Sequence, residues 1–297
     1  MQNRQRVSFW VGVAFTVLFA SCNSYTKLQK KGTDDQKYQA AVQYFKKGDW
    51  YRAGTLFEEL IPVLKGSTES EMAQFYYAYT QYHQQQYLLG SSLFKKFYET
   101  FARSDYAQEA MYMYALSLYK DTPDFNLDQS NTVGAMAALQ DFVNAYPQSP
   151  FSDDCAKMIV NLRQKLEQKA YEKAKLYYRA SGFNIASLKS SVISINNFQK
   201  EFPDSNYNEE LAYLKVDAQY SLAKNSLETK QKERYQEAVT FFGELKGKYP
   251  ASKYLRTAEK MYAFSQKEVE RITALDKERE LQKQQKNNQP AKVTTGQ

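Results

Sequence analysis

Histidine is almost missing from this chain of 297 residues: His83 is the only one. Metal centres and general acid–base chemistry draw heavily on imidazole, so this scarcity argues against a metal site. Cysteine is nearly as rare. Cys22 follows an apolar stretch and Cys155 lies in an amphipathic helical pattern, so their contexts argue against a disulfide. Cys155 reads instead as a small buried residue. Eleven glycines and seven prolines are few breakers for this length, which points to helices rather than sheets. There is no glycine-rich phosphate loop, no paired-histidine zinc motif, no Cys-x-x-Cys and no nucleophile elbow. The acidic pairs Glu58-Glu59, Asp153-Asp154 and Glu209-Glu210 are chain neighbours, which on a helix do not face each other. No enzyme, cofactor or metal is expected. The net charge of +7 is spread along the chain, with no basic cluster interleaved with aromatics, so no nucleic-acid partner is expected either.

What the chain has in abundance is aromatic and apolar surface. Tyrosine occurs 25 times and phenylalanine 18 times, and 43% of residues are hydrophobic, enough for a packed core over most of the length. At the start, Arg4 and Arg6 precede an apolar run from Val7 to Phe19, and Ala20 and Ser21 lead to Cys22. This is the order of a secretory signal, and the run is too short to span a membrane with ease. The stretch Leu18-Phe19-Ala20-Ser21-Cys22 resembles a bacterial lipobox, with Phe19 where leucine is usual. That resemblance implies removal of residues 1–21, lipidation of Cys22 and, with Asn23 next, delivery to the outer membrane. Several acyl chains would meet the requirement for a stable anchor. Residues 22–34 read as a polar tether.

A repeat organises the rest. From Ala135, large residues follow at +4, +7 and +11 (Leu139, Phe142, Tyr146), then Pro147 and Ser149. Ser191 leads to Ile195, Phe198, Phe202, Pro203 and Ser205 at the same offsets, and Ala238 to Phe242, Leu245, Tyr249, Pro250 and Ser252. Gly90 leads to Phe94, Phe97, Phe101 and Ser104, and Ala53 to Phe57 and Leu60. These offsets fall on one helix face. The small anchor admits a neighbouring helix, the proline stops the helix, and the serine is placed to cap the next one. Another amphipathic helix precedes each of these. The expected fold is all-α: a solenoid of about five helical hairpins. N-terminal repeats are expected over 35–152. A linking helix from Asp153 to Gln168 and C-terminal repeats are expected over 153–275, and an unstructured polar tail over 276–297.

The unit Ala41, Tyr44, Gly48-Asp49-Trp50, Ala53, Phe57 resembles a tetratricopeptide repeat. The lipobox resemblance, Tyr76-Tyr77-Ala78-Tyr79, Asp105 with Met111-Tyr112-Met113, and the spacing of Tyr146-Pro147 and Phe202-Pro203 extend the likeness. Together they make Gln36 to Ala263 similar to the BamD family of lipoproteins. The resemblance implies a non-catalytic, periplasm-facing scaffold of the β-barrel assembly machinery. Its expected partners are the barrel-insertase subunit BamA, other lipoproteins of the machinery, unfolded β-barrel proteins, and the membrane through the anchor. The rival reading is another repeat lipoprotein, such as a glycan-binding partner of an outer-membrane transporter. Such proteins use sugar-stacking tryptophans, and this chain has only Trp10 and Trp50.

With Ala53 and Gly90 as registers, the groove positions of the family fall on Tyr38, Val42 and Phe45 in the first unit. In the second they fall on Phe75, Tyr79, Tyr82 and His83. Such rings could receive the aromatic-rich ends of barrel strands, with Tyr hydroxyls left to bond a peptide backbone. About half of them are expected to belong to the core instead.

Overall fold

A computed structural model describes residues 24–182 and 184–287. Among the described residues the chain consists of helices packed in sequence order as hairpins, with no strand. It divides into two compact units, one ending at Arg163 and the other beginning at Gln164.

The first unit contains α1 (Asp34–Lys46), α2 (Trp50–Leu60), α3 (Glu69–His83), α4 (Tyr87–Thr100), α5 (Ala107–Lys120), α6 (Ser130–Ala145) and the first part of α7 (Ser152–Ala180). A capping box starts α1: Gln36 N–H donates to Thr33 Oγ1, and Thr33 N–H donates to Gln36 Oε1. Gly48, at φ +75°, turns the chain out of α1, and the Asp49 carboxylate accepts from Arg52 N–H to start α2. Gln85 occupies the equivalent place after α3 with φ 61°, a left-handed conformation that costs a residue bearing Cβ about 1–2 kcal/mol.

The repeat pattern accounts for the core. The anchors Ala53, Gly90 and Ala135 are buried, and the large residues at +4 and +7 (Phe57, Leu60, Phe94, Phe97, Leu139, Phe142) are shielded from solvent. The clusters they form each bind one hairpin to the next helix. One joins Ala41, Phe57 and Tyr77, another joins Phe75, Phe94 and Met113, and a third joins Ala115, Phe142, Cys155 and Leu162. Cys155 is fully buried as a free thiol, with its pKa pushed up to about 11 by burial and the neighbouring Asp154 charge.

The second unit holds the rest of α7 with α8 (Ala186–Glu201), α9 (Asn208–Lys224), α10 (Glu228–Lys248) and α11 (Leu255–Asn287). Ser191, Ile195 and Phe198 on α8, and Ala238, Phe242 and Leu245 on α10, are buried in the expected register. Lys215 is nearly buried on α9. Its ammonium bonds Glu244 at 2.7 Å, Asn196 and Gln199 at 3.3 Å each, and lies 4.3 Å from the Phe241 ring centroid. These partners satisfy a charge that would otherwise be costly to bury.

Four local expectations are corrected. First, residues 24–31, read as tether, are helical. Tyr25 and Leu28 have apolar partners in the first hairpin, which an extended polar linker would lack. Second, the linking helix does not end near Gln168 but runs unbroken through α7, because Leu166 to Ala170 are all good helix formers. Third, α11 continues to Asn287 through the start of the expected tail. Lys232–Asp276 (3.3 Å) and Arg279–Glu228 (2.8 Å) pair it with α10. Residues 288–297 lie outside the described residues. Fourth, the repeat serine does not cap the helix itself but stands a turn earlier. Ser104, Ser149, Ser205 and Ser252 hydroxyls each accept from the backbone N–H two residues on. The chain then rises through this tight turn into α5, α7, α9 and α11.

Candidate aromatic docking surface

The rings of the first unit form a connected series because α1 and α3 place them at helical spacing. Phe45, at the end of α1, meets Tyr76 (centroids 4.5 Å), Trp50 (5.2 Å, 78°) and Tyr79 (6.4 Å, 82°). The Trp50 indole stacks flat on the His83 imidazole at 4.0 Å and 12°. Tyr82 packs edge-on to His83 and to Tyr87. This end of the unit also carries exposed apolar side chains: Tyr51 follows Trp50 and is 70% exposed, and Leu88 follows Tyr87 and is 66% exposed.

The expected groove residues divide by environment. His83 is exposed at its edge, and burial of its stacked face pulls its pKa below the ordinary value. Tyr82, Phe45, Val42 and Tyr38 are half-buried, with Tyr38 edge-on to Phe57 at 6.2 Å. Phe75 is a correction: it is 4% exposed, closed in by Phe94, Phe97 and Tyr106, and belongs to the core. Its position on α3 points it to the α4–α5 side, where the next hairpin covers it. Tyr79 corrects the expectation of free hydroxyls. Its O–H donates to the Glu109 carboxylate on α5, and its ring is closed in by Phe75 and Phe94 at 5.1 Å each. Burial first, and then the Glu109 charge, push the Tyr79 pKa far up, so this hydroxyl remains protonated and engaged.

Two contributors escaped the sequence reading in this role. Trp50, named above only as part of the repeat unit, forms the platform under His83. Tyr76 bridges Phe45 and Phe57. The signal was present: Tyr76, Tyr79 and His83 stand at i, i+3 and i+7 on α3 and so share a face, whereas Phe75 and Tyr82 flank it. Cys22 and the apolar run before it lie outside the described residues. No described helix is long and apolar enough to cross a membrane, and the described residues hold no His/Cys/Asp/Glu cluster fit for a metal ion.

Serial helical hairpins with a small-residue register and an aromatic surface define a helical-repeat protein. The YfiO family model, described as outer membrane lipoprotein, matches residues 30–188 and 182–271, and the chain belongs to that family. It is also similar to the outer membrane protein assembly factor BamD of Caulobacter vibrioides. The two are 24% identical over 181 residues, which cover 60% of this chain and 59% of that relative. The match thus spans less than two thirds of the relative's length.

Proposed function

We propose that this lipoprotein is a non-catalytic scaffold of the β-barrel assembly machinery, anchored through Cys22 and facing the periplasm. In this reading the first unit receives unfolded barrel segments. The second unit binds the barrel-insertase subunit BamA, and other lipoproteins of the machinery join them. Family membership and the assembly role named for the Caulobacter relative support it. The observation that carries it is the Trp50–His83 stack with half-buried Tyr82 edge-on to His83, while Tyr51 and Leu88, next in the chain to Trp50 and Tyr87, are exposed. Stacked rings beside open apolar side chains suit a partner that brings aromatics on an extended backbone. The glycan-binding alternative draws less support, since His83 takes one face of the Trp50 indole and Phe45 meets it at 5.2 Å.

The test is binding of a labelled C-terminal barrel peptide to the Cys22→Ser protein. Tyr82→Ala combined with His83→Ala is expected to weaken binding several-fold while the helical circular-dichroism signal persists. Unchanged affinity in the folded double variant would place the client site elsewhere. The same Cys22→Ser protein is expected to lack lipid by intact mass; lipid still attached would refute the assigned anchor.

A further inference from the structure

We infer that residues 24–31 form a basic face that rests on anionic lipid headgroups of the leaflet holding the anchor. The inference relies on the reading of Cys22 as the lipidated residue.

The segment has two distinct sides. Tyr25, Leu28 and Gln29 turn inward at helical spacing. Tyr25 lies edge-on to Tyr44 at 5.7 Å, with the Arg52 guanidinium 5.5 Å from its ring centroid. Leu28 packs into the first hairpin, and the Gln29 amide donates to Glu59 at 2.6 Å. These ties reach both α1 and α2, so the segment is docked rather than hanging. The opposite side carries Lys27, Lys30 and Lys31, all exposed. Lys37, by contrast, pairs with Glu59 at 3.2 Å. Lys27 and Lys31, with Ser24, Leu28, Gly32 and Gln36, line an open hollow of about 350 Å³. The nearest acids along the chain, Asp34 and Asp35, stand in the first turn of α1, where the helix dipole already favours them.

Chain length then fixes where this face must be. Cys22 is two residues from Ser24, and an extended chain covers at most about 3.6 Å per residue. An acylated Cys22 therefore holds the start of the docked helix within roughly 7 Å of the lipid attachment point. A polar tether would have let the first unit drift; a docked helix does not. Each lysine held near an anionic surface strengthens attraction about five-fold, and salt weakens it. Three lysines on one side beside the anchor would thus orient the first unit as well as hold it.

The experiment uses the full lipidated protein in vesicles of phosphatidylcholine, with and without phosphatidylglycerol. A membrane-impermeant amine-acylating reagent is applied, and modification of each lysine is followed by mass spectrometry, together with the lipid on Cys22. Lys27, Lys30 and Lys31 are expected to react several-fold more slowly on phosphatidylglycerol vesicles, with the rate restored by high salt. Lys230 and Lys246 in the second unit are expected to react alike on both. Equal rates for the three lysines on both vesicles, with lipid present on Cys22, would overturn the proposal alone. Absence of lipid on Cys22 would overturn the proposal and the anchor reading together.

Discussion

Gly54 and Gly90 look alike in the sequence, each a glycine inside the second helix of a hairpin, yet the structure gives them opposite roles. A Cβ on Gly54 would stand 2.9 Å from Thr80 Oγ1, whose hydroxyl is buried and donates to the Tyr77 carbonyl at 2.7 Å. A Cβ on Gly90 would meet its nearest atom, Tyr82 N, at 3.4 Å, an ordinary contact. Gly54→Ala is therefore expected to lower stability by about 1 kcal/mol through overpacking. Gly90→Ala should be neutral or stabilising by up to about 1 kcal/mol, since alanine is the better helix former. Chemical denaturation followed through Trp50 fluorescence distinguishes them, because Trp50 is the only tryptophan after Cys22. Equal losses in the two variants, or a larger loss for Gly90→Ala, would reject this geometry. Trp50 also reports on His83. Its stacked face is desolvated, which disfavours imidazolium and holds the folded pKa below 6.5. A depressed histidine pKa stabilises the fold above the unfolded value, and that contribution is lost as pH falls through the folded pKa. A Trp50 fluorescence titration is expected to show a midpoint below 6.5 that vanishes in His83→Gln. A midpoint above 6.5 would mean that the indole stabilises the cation more than burial opposes it. The residue register was legible because its offsets repeat. The Tyr79–Glu109 bond was not, because its partners lie thirty residues apart on separate helices and no local pattern links them.

At the level of elements, the small-residue anchors and the prolines after Tyr146, Phe202 and Tyr249 marked where α6, α8 and α10 end. Breaks were harder to place where no breaker exists. The stretch from Ser152 to Ala180 reads as two amphipathic segments, yet it contains neither glycine nor proline, and α7 passes through without interruption. Proline in a helix interior costs about 3 kcal/mol or more, whereas at a helix boundary it is tolerated. Gln168→Pro is thus expected to lower stability by about that amount and to reduce helical ellipticity. A variant with unchanged unfolding would show that α7 is broken there. The helical residues 24–31 were illegible for a different reason. Their polar composition is that of a linker, and only the tertiary partners of Tyr25, Leu28 and Gln29 select the helix.

For the whole molecule, what the sequence made readable was the architecture and the class. A repeat that buries its own face against the next copy needs no ligand or catalytic cluster to explain it. The surface was less readable, because rings at groove positions and rings at core positions obey the same spacing until the packing separates Phe75 from His83. The central claim is that this outer membrane lipoprotein serves barrel assembly, and it concerns partners. The most direct measurement is affinity purification of the full lipidated protein from detergent-solubilised membranes, with the co-purifying proteins identified by mass spectrometry. The account predicts recovery of a large β-barrel protein bearing serial periplasmic domains, with further lipoproteins beside it. Recovery of a glycan transporter in its place, with no such barrel, would contradict it.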